Sequence, residues 1–84
     1  MHAPETLRAE VRLGPLTAAV DVGSLTAEGM VFSGFELARI GDAMSVQFAN
    51  TRRLRAHVVG TTGHETTLMF DEPLGEFDRL LAAA

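Results

Sequence analysis

The stretch Val22-Gly23-Ser24-Leu25-Thr26-Ala27-Glu28-Gly29-Met30-Val31-Phe32 ends one strand, turns on small and polar residues, and begins another. Successive side chains of an extended chain point to opposite faces, so a period of two marks a strand with one buried and one wet side. Upstream of the turn, Ala18, Val20 and Val22 share one face of a strand running from about Leu16 to Val22. Downstream, Met30 and Phe32 form the inward pair of a strand from Gly29 to Phe35.

The same period extends in both directions. Leu7, Ala9, Val11 and Leu13 alternate with Arg8, Glu10 and Arg12 in a first strand over Thr6 to Leu13, and Gly14-Pro15 turns the chain into the second. Beyond Phe35, a link bracketed by Gly34 and Ile40-Gly41-Asp42 is expected to fold Leu37 and Ile40 back onto the core. Met44, Val46 and Phe48 alternate with Ser45 and Gln47 in a fourth strand, and Asn50-Thr51 supplies a hairpin turn. The fifth strand, Arg52 to Val59, sets Leu54, Ala56 and Val58 inward against Arg53, Arg55 and His57 outward. Gly60-Thr61-Thr62-Gly63 turns into a sixth, Glu65 to Asp71, with Thr66, Leu68 and Phe70 inside. After Pro73 the spacing becomes helical, with Phe77, Leu80 and Leu81 on one side and three alanines that lose no side-chain entropy. The expected architecture is all-β: one domain over 1–84, a small six-stranded antiparallel barrel over about 6–71, and a short C-terminal helix over about 74–83.

Composition bounds the function. The 84 residues suffice for one modest core. With no cysteine there is neither a disulfide framework nor a thiolate metal site. The opening residues lack a basic stretch followed by an apolar run, and no segment is apolar for long enough to span a bilayer, so a cytoplasmic protein with no membrane insertion is expected. A net charge of −4, with no Trp or Tyr to stack on bases, argues against DNA or RNA as a partner. No Ser/His/Asp order, paired buried carboxylates or phosphate-cradling glycine loop points to catalysis, and no His, Asp and Glu set has ligand spacing for a metal. The chain is therefore expected not to be an enzyme, with no catalytic residue, no metal and no cofactor.

Ser24-x-Thr26-x-x-Gly29 resembles the Asp/Asn-x-Ser-x-x-Gly signature of PilZ domains, bacterial receptors for cyclic di-GMP. Leu37 to Val46 is similar to the family's leucine, Gly-Asp and alternating-valine stretch. Leu54 to Val59 is similar to its penultimate strand, and Leu68 to Leu74 to its closing strand ending in Phe. The resemblance covers roughly Thr6 to the C-terminus. It implies a six-stranded barrel followed by a helix, and cyclic di-GMP as the possible ligand. In the family, an Arg-x-x-x-Arg segment ahead of the first strand grips the phosphates and guanines, a task suited to a planar and always charged guanidinium. The acid or amide of the signature takes guanine N–H donors, and its glycine lets backbone and ligand come close.

This chain departs from that pattern. The residues before the first strand contain no arginine, and Ser24 replaces the acid, losing a charged acceptor. Arg8 and Arg12 have the family's spacing, yet they interleave with apolar residues as a strand. They are therefore either a displaced clamp or two cations on a solvated face. The Ser24 and Thr26 hydroxyls either meet a ligand or satisfy backbone groups of their own turn. Arg53, Arg55 and His57 form a basic strip that either receives an acidic partner or is the charged outer face of a soluble strand. By parity Val31, Val59 and Met69 point outward and can form an apolar patch for a partner. Two functions follow from the resemblance. One is a degenerate signalling domain acting as a protein-interaction adaptor with weak or no nucleotide binding. The alternative is a genuine receptor holding cyclic di-GMP at Ser24, Thr26 and Gly29 with nearby arginines.

Overall fold

The computed structural model describes residues 7–48 and 52–75. Six strands alternate as the apolar period requires: β1 (Leu7–Leu13), β2 (Leu16–Leu25), β3 (Gly29–Ser33), β4 (Ala43–Gln47), β5 (Leu54–Thr62) and β6 (Glu65–Phe70). They close into an antiparallel barrel in the order β1-β2-β3-β6-β5-β4, because β1 pairs with β2 on one side and with β4 on the other. Closure leaves no strand edge open to a second chain. Inside lie the residues of one parity, with Val11, Val20, Phe32, Val46, Phe48, Val58 and Leu68 nearly sealed from solvent. Thr66 is the polar residue of this core, and no buried side-chain donor or acceptor among the described residues lacks a partner.

Two strands are longer than periodicity implies, each because of a bulge. In β2 the register against β3 shifts between Val22 and Ser24, which absorbs Gly23 and lets pairing continue through Ser24↔Val31 and Leu25↔Met30. In β5 it shifts between Val58 and Gly60, so that Gly60, Thr61 and Thr62 pair with Thr67, Thr66 and Glu65 and the expected four-residue turn shrinks to Gly63-His64. The strand expected over Gly29 to Phe35 stops at Ser33.

The link after β3 corrects one expectation. Leu37 and Ile40 do not return to the core but are 64% and 68% exposed, while Phe35 and Ala38 are buried in their place. The cause is a β-turn. The Asp42 amide donates to the Arg39 carbonyl (3.0 Å), the Arg39 amide to Asp42 Oδ2 (2.9 Å), and Gly41 takes φ +96°. That positive φ belongs to the third place of such a turn, which leaves Ile40 at its outer corner. Of the expected helix at about 74–83, only Leu74 and Gly75 fall within the described residues, and neither is helical; the hairpin turn at Asn50-Thr51 also lies outside them. Among the described residues no helix is long and apolar enough to cross a membrane.

Candidate functional site

The turn from β2 to β3 is held by its own atoms. The Thr26 amide donates to the Gly29 carbonyl (2.9 Å). Thr26 Oγ1 accepts from the amides of Glu28 (3.3 Å) and Gly29 (3.2 Å) and donates to the Gly29 carbonyl (3.3 Å). A threonine hydroxyl used in this way completes the turn locally. The two carbonyls at the tip are spoken for as well: Phe70 donates its amide to Glu28 (2.8 Å) and Leu74 to Ala27 (2.7 Å). The chain leaving β6 thus straps the tip down, and buried Leu74 anchors the strap.

Gly29 is required by close approach. It faces Met69 across the β3–β6 pair, and a Cβ at this position would collide with the Leu68 carbonyl oxygen. Its φ is not in the left-handed region, so the need is for space and not for conformational freedom.

Ser24 is exposed on the far side of the Gly23 bulge, opposite Val31. From it a shallow groove of about 200 Å³ crosses the outside of β3, β6 and β5, floored by Val31, Thr67, Met69 and Val59 and closed at the turn by Thr26 and Glu28. Met69 and Val59 are 46% and 40% exposed, as strand parity implies. Among the described residues Glu28 is the one ionisable side chain that lines it.

The arginines are not brought to this groove. Arg8 lies opposite Asp21 and its Nε stands 3.6 Å from the Asp21 carboxylate; on the β2 strand that is three positions short of Ser24, roughly 10 Å at the strand repeat. Arg12 lies opposite Thr17 on one side and Ser45 on the other, seven positions from Ser24. On the outer face of β1 and β2 the two cations are also separated from each other by Glu10 and its neighbours.

The basic strip on β5 has a different construction. Arg53 donates from Nη1 to Ser45 Oγ (3.3 Å) and from Nη2 to Gln47 Oε1 (3.2 Å), and its Nη2 lies 3.7 Å from Glu10 Oε1. β5 begins at Leu54 and not at Arg52 as periodicity implies, so this guanidinium, just ahead of the strand, stitches its entry to β4 and β1. His57 Nδ1 sits 3.2 Å from Asp71 Oδ1. The Arg55 side chain makes no hydrogen bond or ion pair among the described residues, and it borders an open basin of about 340 Å³ whose rim carries Asp71 and Glu72 beside Arg52 and Arg53. This surface is of mixed sign. Among the described residues no group of three or more His, Cys, Asp or Glu side chains is placed to hold a metal ion.

Thr67 lines the groove and Glu65 lies two positions before it on β6, neither marked in the sequence, because cross-strand register decides which outward residues become neighbours. Glu65 reaches over β3, its carboxylate 3.9 Å from where a Cβ on Gly23 would stand.

The fold and this surface define a closed six-stranded antiparallel barrel with an apolar outer groove beside a self-capped turn. Comparison with known proteins gives no matching family model, no matching curated sequence and no matching solved structure.

Proposed function

We propose that the chain is a PilZ-like signalling domain of bacterial cyclic di-GMP pathways that keeps the barrel, has lost the nucleotide grip, and works in the cytoplasm as a protein-interaction adaptor. It is neither an enzyme nor a DNA or RNA binder in this reading, and it binds cyclic di-GMP weakly or not at all.

The observation that carries the reading is the character of the groove at Ser24, Thr26 and Gly29. Among the described residues its sole ionisable lining residue is an acid, Glu28, which opposes a ligand with two phosphates. Its volume of about 200 Å³ also falls below the roughly 300–1,000 Å³ of sites that enclose a small molecule. Thr26 is spent on its turn, and the nearer candidate arginine, Arg8, already faces Asp21. With no cation among the described residues that line the groove, the charge-assisted bonds that make phosphate recognition strong have no donor there. An apolar surface bordered by polar residues suits a protein partner better. The Arg53, Arg55 and His57 strip offers a second contact area, of which Arg55 is the member least engaged within the chain.

The receptor reading has one observation in its favour. The Ser24 hydroxyl is exposed at the mouth of the groove and has no partner among the described residues. Calorimetric titration with cyclic di-GMP separates the two. The adaptor reading expects no saturable heat, whereas tight binding lost in Arg8→Ala or Arg12→Ala would make those side chains a working clamp and overturn it.

A further inference from the structure

We infer that the groove between the Ser24–Gly29 turn and Val59 docks an apolar segment of a partner protein that carries basic side chains at both ends. The inference rests on the adaptor reading and goes further by assigning the surface and the chemistry of its occupant.

Three observations support it. The floor is apolar and continuous over three strands, with Val31 on β3, Met69 on β6 and Val59 on β5. Large apolar side chains grouped in this way on an outer sheet face mark an interaction surface. Next, the barrel is closed, so a partner cannot add a strand and must bind through side chains. A groove of about 200 Å³ is the right scale for one or two anchoring side chains of a segment.

The third observation is charge. Glu28 closes the groove at the turn, and Glu65 stands beyond it on the same outer face, reaching toward Gly23. Glu28 is held opposite Phe70, five positions along β6 from Glu65, so their backbones are roughly 17 Å apart at the strand repeat, and the Glu65 side chain leans from there toward Gly23. Neither takes part in an ion pair among the described residues. Two carboxylates that flank the apolar floor along the strand direction, without an ion pair among the described residues, complement a segment lying along β3 and β6 with cations at its ends, and they disfavour an anionic lipid surface or a nucleotide.

The test is selection of random nine-residue peptides displayed on phage against the purified chain, with Met69→Lys as the counter-target and thermal melting to confirm that each variant folds. Peptides with apolar centres and Lys or Arg on both flanks are expected. A synthetic copy of the leading peptide should bind Met69→Lys more than tenfold more weakly and Glu28→Lys about fivefold more weakly. Selection against the Glu28→Lys, Glu65→Lys double variant should favour acidic flanks, and Val59→Ser provides an independent probe of the floor. No enrichment over Met69→Lys, or enrichment without flank preference, would overturn the inference. Self-association of the chain that Met69→Lys abolishes would assign the groove to a second copy and also overturn it. Peptides that depend on Arg55 and not on Met69 would remove the groove from the account yet leave the adaptor reading standing. Saturable cyclic di-GMP binding would bring down that reading itself.

Discussion

The two sides of the barrel solve the problem of a wet sheet face differently. Across β1, β4 and β5 the outward polar groups bind each other: Arg53 reaches Ser45, Gln47 and Glu10, and His57 reaches Asp71. Across β3, β6 and β5 the outward positions are Val31, Thr67, Met69 and Val59, bordered by the Glu28 carboxylate, and no cation is among the described residues that line them. The first face ties Arg53 and His57 to neighbours of its own and leaves Arg55 as the strip's unengaged cation among the described residues. The second leaves its apolar area and its acids without partners among the described residues, and that is where recognition is to be sought.

Four substitutions sharpen or break this contrast. Gly29→Ala should have the largest effect, lowering stability by about 3 kcal/mol in denaturant unfolding, because the new methyl meets backbone at Leu68. A near-neutral result would mean that β3 and β6 are not so close, and that the glycine serves something other than packing. Thr26→Val should cost about 1–2 kcal/mol, since the amides of Glu28 and Gly29 lose their acceptor. In a domain of this size about 1 kcal/mol corresponds to roughly 4–8 °C in melting temperature. An unchanged melting temperature would release the hydroxyl for a ligand. Arg53→Ala should cost about 0.5–1 kcal/mol, less at high salt, as befits an exposed stitch. If it instead abolished partner capture with stability intact, the first face would be the recognition surface. Met69→Lys should have the smallest structural effect, within about 0.5 kcal/mol, because the side chain is already 46% exposed. Partner binding should suffer all the same.

Much of the fold was legible in the primary structure. Period-two alternation identifies the inward sets of all six strands, from Ala9 and Val11 through Leu68 and Phe70, because each needs only its own neighbours to declare a face. The outward parity of Val31, Val59 and Met69 follows from the same rule. What alternation cannot reveal is anything set by a partner strand. The bulges at Gly23 and Val59, which lengthen β2 and β5, depend on register with β3 and β6. Burial of Phe35 and Ala38 in place of Leu37 and Ile40 goes with a turn docked on β5, where the Gly41 amide donates to the Val58 carbonyl and the Val58 amide to the Asp42 carbonyl. The same holds for the candidate site. Thr26 and Gly29 are identifiable as a turn from local chemistry, whereas the distance of Arg8 and Arg12 from Ser24, the pairing of Arg8 with Asp21 and the reach of Glu65 emerge only once β1, β2, β3 and β6 are placed side by side.

The central claim is that no cationic grip stands beside the Ser24–Gly29 turn of this barrel among the described residues. Amide chemical shifts of the isotopically labelled chain, followed during titration with cyclic di-GMP, test it at the residues concerned. The amides of Ser24, Thr26 and Gly29 should stay in place at millimolar nucleotide. Saturable displacement of those amides, accompanied by Arg8 or Arg12, would contradict the account.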